Sequence, residues 1–406
     1  MPESTRPSRR AFHRQTLHAT TALATLSAAG LHAVAAEPKR KYRAVVIGHT
    51  GRGNYGHGME KVWADVDAAE LVAIADAQPE GLNKTSRRLG VKGFADYKQM
   101  LTQTKPDLVA VGPRWLDQHR DMVVAAADAG VKGIYLEKPM CQNLQQADEM
   151  IAACEKSGTK LAMATQNRYS PQVRIISQMI ADDDLGEIVE IRARGKDDRR
   201  GGGEDLWVLG THMLDLMSLF GGGAKSCYAQ VYKAGNLVTA ADVQEGAEGI
   251  GPLAGDEIHA MYRLGIGVNG YWDSKRGAQG KPSRFGIRIQ GTKGVIELYD
   301  TGSLPLTLYL PASSWSTGRS DQQWKRVNSG GIGVPETISS GGLHEGNVLA
   351  VKDLIASIEE DRQPIANIYE ARKTVEMIAG VFESHRLGKS VELPLKNRRN
   401  PLTMLQ

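Results

Sequence analysis

The chain has 406 residues, 41% hydrophobic and 24% charged, with a formal net charge of +4. One to three domains are expected at this length, with composition ordinary for a globular protein. Residues 1–36 carry four arginines against one acid, so the remainder is close to +1; with no basic stripe, nucleic acid is not expected as a partner.

At the N-terminus, Ser8-Arg9-Arg10-Ala11-Phe12 precedes a mildly apolar run, Ala19 to Ala36, that ends in small residues. Paired arginines, a modest apolar region and an Ala-rich end have the layout of a twin-arginine signal, with cleavage expected near Ala35 or Ala36. The expectation is export in the folded state and a periplasmic location. That run is interrupted by Thr and His, and no later stretch reaches the roughly 18 apolar residues of a membrane span. Cys141, Cys154 and Cys227 are an odd count without metal-like spacing, and read as buried small hydrophobes.

Tyr42 to Ile47 reads as a buried strand running into Gly48-His49-Thr50-Gly51-Arg52-Gly53, then a helix to about Val66. Glycines let a backbone approach a pyrophosphate, although the spacing G-x-x-G-x-G departs from the usual fingerprint. A second strand, Leu71 to Ala75, ends in Asp76, placed to take both ribose hydroxyls and to repel a 2′-phosphate. Asp76 therefore argues for NAD over NADP. The alternation continues with a helix over Lys84–Leu89, strand Leu108–Val111, the segment Gly112-Pro113-Arg114-Trp115, and a helix from Gln118 to Ala129. Strand Gly133–Leu136 delivers the turn Glu137-Lys138-Pro139, then a helix from Gln142 to Cys154. Strand Leu161–Thr165 leads to Gln166-Asn167-Arg168-Tyr169 and a helix from Pro171. Strands alternating with helices imply a parallel, doubly wound sheet, whose strand ends hold ligands.

The glycine turn, Asp76, Pro113…His119, Glu137-Lys138-Pro139 and Asn167-Arg168-Tyr169 together resemble the Gfo/Idh/MocA oxidoreductases. The resemblance covers residues 41 to 395. It implies an α/β fold with a Rossmann NAD-binding domain over 41–160. Over 161–395 it implies an α+β substrate and oligomerisation domain with a large, mostly antiparallel open sheet. It places Lys138 beside nicotinamide and substrate, and Asn167 and Arg168 near cofactor or substrate, Arg168 being equally a structural ion pair. The family often has histidine four residues after the proline, whereas Pro113 to His119 spans six. This leaves the role of His119 open and brings Arg114 or Trp115 toward the nicotinamide edge. The cofactor-binding expectation thus comprises Gly48, Thr50, Gly51, Arg52, Gly53, Asp76, Pro113, Arg114, Trp115, His119, Glu137, Lys138 and Asn167.

After Gly186 the pattern turns to partial period-two alternation over 187–194, 226–233, 257–271 and 285–299, a sheet with one covered face. Resemblance implies that the open face makes a homodimer or homotetramer. Glu257 and His259 share a face, read as solvated or interfacial, and Ser313 to Ser340 reads as loop. Helices Leu349–Glu360 and Tyr369–Arg386 are amphipathic and, by resemblance, pack back on the nucleotide domain.

Between the first two of those strands lie Arg199-Arg200-Gly201-Gly202-Gly203-Glu204-Asp205 and the helix bearing Thr211-His212 and Asp215. The family has Asp-x-Gly-x-His here, its histidine the usual acid/base. Gly210-Thr211-His212 matches, but the Asp position is Val208, so Glu204, Asp205 or Asp215 is left to orient His212, itself either acid/base or a structural histidine. Imidazole suits proton transfer near neutral pH.

The expected chemistry is hydride transfer at a sugar or polyol carbon. Lys138 and His212 handle the proton, while Arg168, Tyr169, Arg200, Glu204, Asp205 and Asp215 are candidates to grip substrate. No His/Glu/Asp cluster has metal-ligand spacing. A redox-neutral, NAD-dependent glycoside hydrolase and an inactive sugar or NAD sensor are the alternatives.

Overall fold

A computed structural model describes residues 40–312 and 319–406. The twin-arginine segment and the first part of the expected 313–340 loop lie outside the described residues.

Six parallel strands form the first sheet: β1 (Tyr42–Gly48), β2 (Ala69–Asp76), β3 (Lys92–Phe94), β4 (Leu108–Val111), β5 (Gly133–Leu136) and β6 (Lys160–Met163). Their order is β3-β2-β1-β4-β5-β6. All four residues of β4 and of β5 are buried, as the continuous apolar runs require of strands covered on both faces. Connecting helices are α1 (Pro79–Leu89), α2 (Tyr97–Thr104), α3 (His119–Asp128) and α4 (Leu144–Ser157). Asn143 caps α4 by accepting from the Gln146 amide. Strand order reverses between β1 and β4, where such sheets open a crevice at their carboxyl edge.

The expected helix after the glycine turn does not form. Residues 50–61 run through successive turns, and Val62–Asp65 makes a single 3₁₀ turn. Gly51, Gly53, Gly56 and Gly58 hold φ of +84°, +89°, +62° and +85°, and Asn54 holds +55°. No right-handed helix continues through such angles. Tyr55, Met59, Val62 and Trp63 nevertheless bury on the sheet where that helix would pack.

After α5 (Pro171–Ala181) the chain builds the second sheet from β7 (Ile188–Arg194). Then come α6 (Gly203–Val208), α7 (Gly210–Gly221), β8 (Ala224–Lys233) and β9 (Asn236–Leu237). A small ribbon of β10 (Gln244–Glu245) and β11 (Pro252–Leu253) precedes β12 (Glu257–Leu264), β13 (Asn269–Lys275), β14 (Gly286–Gly291), β15 (Val295–Tyr299) and β16 (Leu306–Leu310). The short strands β17 (Lys325–Asn328) and β18 (Gly331–Ile332) lie inside the stretch read as loop; too short for a visible period, they form the sheet's edge. The order is β18-β17-β16-β15-β14-β7-β13-β12-β8-β19, with β19 at Val391–Glu392, and only β7 with β13 is parallel.

Helices α7 and α9 (Ile368–Leu387) cover one face of this sheet. The other face is open and carries a cross-strand row, Tyr228–Met261–Tyr271–Arg192–Arg288–Glu297. Arg192 stacks 4.3 Å over Tyr271, and His259 bridges Glu257 and Asp273 on the same face. Helix α8 (Leu343–Glu359) packs Val348, Val351, Leu354 and Ile355 onto Ala44, Val46, Leu108, Tyr135 and Ala162 of the first sheet. Of the two C-terminal helices it is α8 that covers this sheet. Helix α9 lies between the second sheet and α4. The cysteines are buried and free. Among the described residues no helix is long and apolar enough to cross a membrane, and no group of His, Cys, Asp and Glu has metal-site geometry.

Candidate functional site

At the crevice between β1 and β4, side chains from the two flanking loops meet. The Arg52 guanidinium lies 4.4 Å over the Trp115 ring and pairs with Asp117. His49 Nδ1 is 2.6 Å from Gln118 Oε1. Gly53 sits so close to the neighbouring loop that a Cβ there would be 2.4 Å from the Arg114 amide nitrogen, which is why this turn needs glycine. Asp76, at the end of β2, is 1% exposed. Its carboxylate accepts from the Thr50 amide, from Thr50 Oγ1 at 2.6 Å and from the Gln78 amide.

Strand β5 delivers Glu137 and Lys138, and the Lys138–Pro139 peptide is cis. Glu137 is fully buried and accepts from the Lys138 amide, from the His57 amide and from His57 Nδ1, each at 3.1 Å. Burial opposes its ionisation, but the His57 bonds and Lys138 outweigh it and hold the carboxyl below its usual range. Lys138 Nζ donates to the Val208 carbonyl at 3.1 Å. Burial, helped by Arg114 and Arg200, lowers the Lys138 pKa against the pull of Glu137 and Glu248. His212, on α7, is 4% exposed and its Nδ1 has no partner. Burial first, then the charges of Lys138 and His57, push it well below the usual imidazole range. The Val208 position thus contributes a backbone carbonyl to the lysine and no carboxylate to the histidine.

Arg200 lies close enough to influence Lys138, yet its guanidinium is engaged by both oxygens of Asp198. Glu204 is half-buried, and burial reinforced by Glu248 raises its pKa against Arg199 and Arg200. Glu248, from the segment between β10 and β11, reaches Arg114 at 3.5 Å. The same segment is pinned by Gln142 Nε2, which donates to the Gly249 carbonyl at 2.8 Å.

Other expected site residues are spent elsewhere. His119 is fully buried, with both ring nitrogens on the carbonyls of Pro113, Pro139 and Met140, so it fastens two loops and meets no cleft. Asn167 donates to the Asp300 carbonyl and accepts from the Gly302 amide, tying the β15–β16 turn to the first sheet. Arg168 pairs with Asp215 at 2.8 Å and with Glu370 at 3.2 Å, a buried structural cluster that also removes Asp215 as a partner for His212. Tyr169 Oη accepts from the Ala366 amide, toward the C-terminal helices. Asp205 is fully buried, its Oδ2 accepting from Ser274 Oγ and the Asp197 amide while its Oδ1 has no partner. Lys138, His212, Glu137, Arg114, Arg200 and Glu204 are brought together, and Gly48 to Gly53, Asp76, Pro113 and Trp115 line the adjoining crevice.

Two members of the cluster are absent from the sequence-level expectation, His57 and Glu248. The signal for His57 was a histidine between Gly56 and Gly58, easily taken for turn filler. Glu248 carried none.

A dinucleotide fits the crevice by its donors. Arg52 Nε, Arg114 Nε and Gln118 Nε2 are buried without partners, and an added Cβ on Gly51 meets nothing within 4 Å. Unpaired buried donors beside open backbone suit an anionic, hydroxyl-rich ligand. Phosphate contacts would fall to loop amides and arginines, since no helix N-terminus directly follows β1.

A Rossmann sheet with this crevice and a lysine–histidine pair at its edge defines a dinucleotide-dependent oxidoreductase architecture. Residues 42–165 match the NAD-binding Rossmann fold of the Gfo/Idh/MocA oxidoreductases, and residues 177–393 match that family's C-terminal alpha/beta domain. The chain belongs to this family. It is 31% identical over 137 residues to D-apiose dehydrogenase of Paraburkholderia graminis, covering 34% of this chain and 36% of that protein. Levoglucosan dehydrogenase of Pseudarthrobacter phenanthrenivorans is 24% identical over 257 residues, covering 55% and 63%. The matched stretches thus span about a third to two thirds of these relatives. A levoglucosan dehydrogenase structure in complex with NADH and levoglucosan superposes with a TM-score of 0.70 at 20% identity, over 88% of this chain and all of that one, which establishes the shared fold.

Proposed function

We propose that the protein is an NAD-dependent oxidoreductase acting on a hydroxyl or carbonyl carbon of a sugar or polyol. The observation that carries this is the meeting of Lys138 Nζ and His212 at the carboxyl edge of the Rossmann sheet, beside buried donors with nothing to bind. Relatives named as apiose, levoglucosan and myo-inositol dehydrogenases support the substrate class. Arg52, Arg114, Gln118 and the amides of the 48–53 turn would hold the dinucleotide, with Asp76 exchanging its Thr50 Oγ1 bond for a ribose hydroxyl. Bound NAD supplies the hydride acceptor. Lys138, its pKa lowered by burial, hydrogen-bonds the substrate oxygen, and His212, kept neutral, takes the hydroxyl proton. Arg200, felt at Lys138, and Glu204, felt at neither Lys138 nor His212 but coupled to Arg200 and Glu248, would meet the substrate.

The twin-arginine layout of residues 1–36 supports export in the folded state, cofactor in place, to the periplasm. The open sheet face, with Tyr228 and Met261 each 40% exposed, supports a homodimer or homotetramer.

Free NAD is scarce outside the cytoplasm, so a retained cofactor must return to its starting state in each cycle, which keeps a redox-neutral glycosidase as a second reading. The test mixes the protein, with no NAD added, with free sugars and aryl glycosides. At most one equivalent of NADH, stalled until a second carbonyl compound arrives, establishes the oxidoreductase. Many turnovers of aglycone with little lasting NADH establish the glycosidase. Silence in both, with NAD bound, points to a sensor.

A further inference from the structure

Beside Lys138 and His212 stands a second histidine whose surroundings differ from theirs. His57 Nδ1 lies 3.1 Å from Oε1 of Glu137, and its amide donates to Oε2 of the same carboxylate. Its carbonyl accepts from Asn347 Nδ2 at 3.1 Å, and Asn347 is in turn fixed by Tyr135 Oη and Gln166 Nε2. Gly56 makes this placement possible, because a Cβ there would be 2.4 Å from Glu137 Oε2 and 2.6 Å from the Gly112 carbonyl. The His57 side chain is 27% exposed while its carboxylate is fully buried, so the ring spans the boundary between site and solvent.

An ionised Glu137 only accepts hydrogen bonds, which fixes the proton of a neutral His57 on Nδ1 and leaves Nε2 as a free base. His212 has the opposite situation: buried, next to a lysine, without a carboxylate, and unable to store a proton. The two rings are near enough for a proton taken up by His57 to be felt at His212. The His57 ring pairs with Glu137 from the β5 turn and its backbone carbonyl holds the neutral Asn347 from α8, while a proton on His57 is felt at Glu137 and at His212 of α7.

We propose that His57, oriented by Glu137, is the proton carrier that links the buried site to solvent. This rests on the oxidoreductase reading. In oxidation the substrate C–H bond breaks with its electron pair leaving for the bound nicotinamide, the C=O forms, and the O–H bond breaks. The proton, received by His212, passes to Nε2 of His57 and from there to solvent; reduction runs the same path backwards. The Glu137–His57 pair thus performs the task for which Val208 leaves no carboxylate.

The test uses the full chain loaded with NAD⁺ and ¹⁵N-labelled at histidine, the His57 signals being those lost in His57→Gln. In alkaline buffer, where the ring is neutral, the expected spectrum shows Nδ1 protonated and Nε2 bare, an arrangement lost in Glu137→Gln. Nε2 protonated in the wild type, or no change in Glu137→Gln, would overturn the proposal. On a sugar that the wild type oxidises, His57→Ala should lower turnover about 10²-fold or more and recover with added imidazole. A loss confined to KM or thermal stability, without rescue, marks His57 as structural and refutes the carrier role. If the wild type oxidises no sugar while His57 shows the expected tautomer, the oxidoreductase reading fails, and the substrate proton with it.

Discussion

Arg168 offers the sharpest test of the architecture, because a substrate role and a structural role predict opposite outcomes. Its side chain and that of Asp215 are each 3% exposed, joined by a 2.8 Å bond, with Glu370 at 3.2 Å. Replacing Arg168 with Met leaves the Asp215 carboxylate buried without a counter-charge, a defect of about 3–5 kcal/mol. For a unit of this size each kcal/mol is worth about 2–4 °C, so the melting temperature should fall by roughly 10 °C. Replacing both partners, Arg168→Met with Asp215→Leu, removes the charge along with its neutraliser and should recover most of that loss. Urea and thermal unfolding followed by circular dichroism read the stability, and sugar binding is measured in parallel. The reasoning fails if Arg168→Met unfolds within about 1 kcal/mol of the wild type yet binds sugar poorly.

Four further outcomes are expected. Gly56→Ala forces a side chain into φ +62° against Glu137 and the Gly112 carbonyl; it should cost about 1–3 kcal/mol in unfolding experiments and abolish the His57–Glu137 bond. Burial keeps His212 neutral in the folded state, while the unfolded imidazole takes up a proton near pH 6.5. The unfolded chain then binds the extra proton, so stability drops as pH falls from about 7 to 5, by at most about 1.4 kcal/mol per unit from this residue. His212→Asn should flatten that slope, and identical slopes would count against a buried neutral ring. Lys138→Met should reduce turnover roughly 10²–10⁴-fold without unfolding the chain, an expectation undone by normal turnover. Asp76→Asn should weaken NADH binding about tenfold or more in a fluorescence titration, through loss of a charged acceptor worth about 1.5–3 kcal/mol; equal affinity removes Asp76 from the ribose site.

The first sheet was legible in the sequence because its strands are short, wholly apolar and separated by helices, so periodicity and order carry the information. The Glu137-Lys138-Pro139 turn was legible for the same reason, at the end of such a strand, whereas His212 was read only from the resemblance of Gly210-Thr211-His212 to the family motif. The site candidates that the structure engages elsewhere have partners distant in sequence. Asp205 finds Ser274, Asn167 finds Asp300, His119 finds Pro139 and Arg168 finds Glu370. Each is a residue type common in sites, and nothing local shows that its capacity is already used. The missing helix after β1 has a local origin, four glycines at positive φ, but glycine spacing signals a phosphate turn and a broken helix equally. β17 and β18 were too short to show a period.

Helix α8 is encoded some 180 residues after β6, yet it supplies one wall of the first sheet through Val348, Val351, Leu354 and Ile355. A nascent chain that has emerged only as far as β6 would leave Ala44, Val46, Leu108, Tyr135 and Ala162 facing water on that side. The nucleotide-binding half therefore cannot complete its fold on the ribosome ahead of the rest. It waits for residue 359, and truncation before α8 should yield aggregates rather than a free-standing domain. Late closure of this kind makes folding a single event at the end of synthesis, with cofactor capture confined to the finished chain.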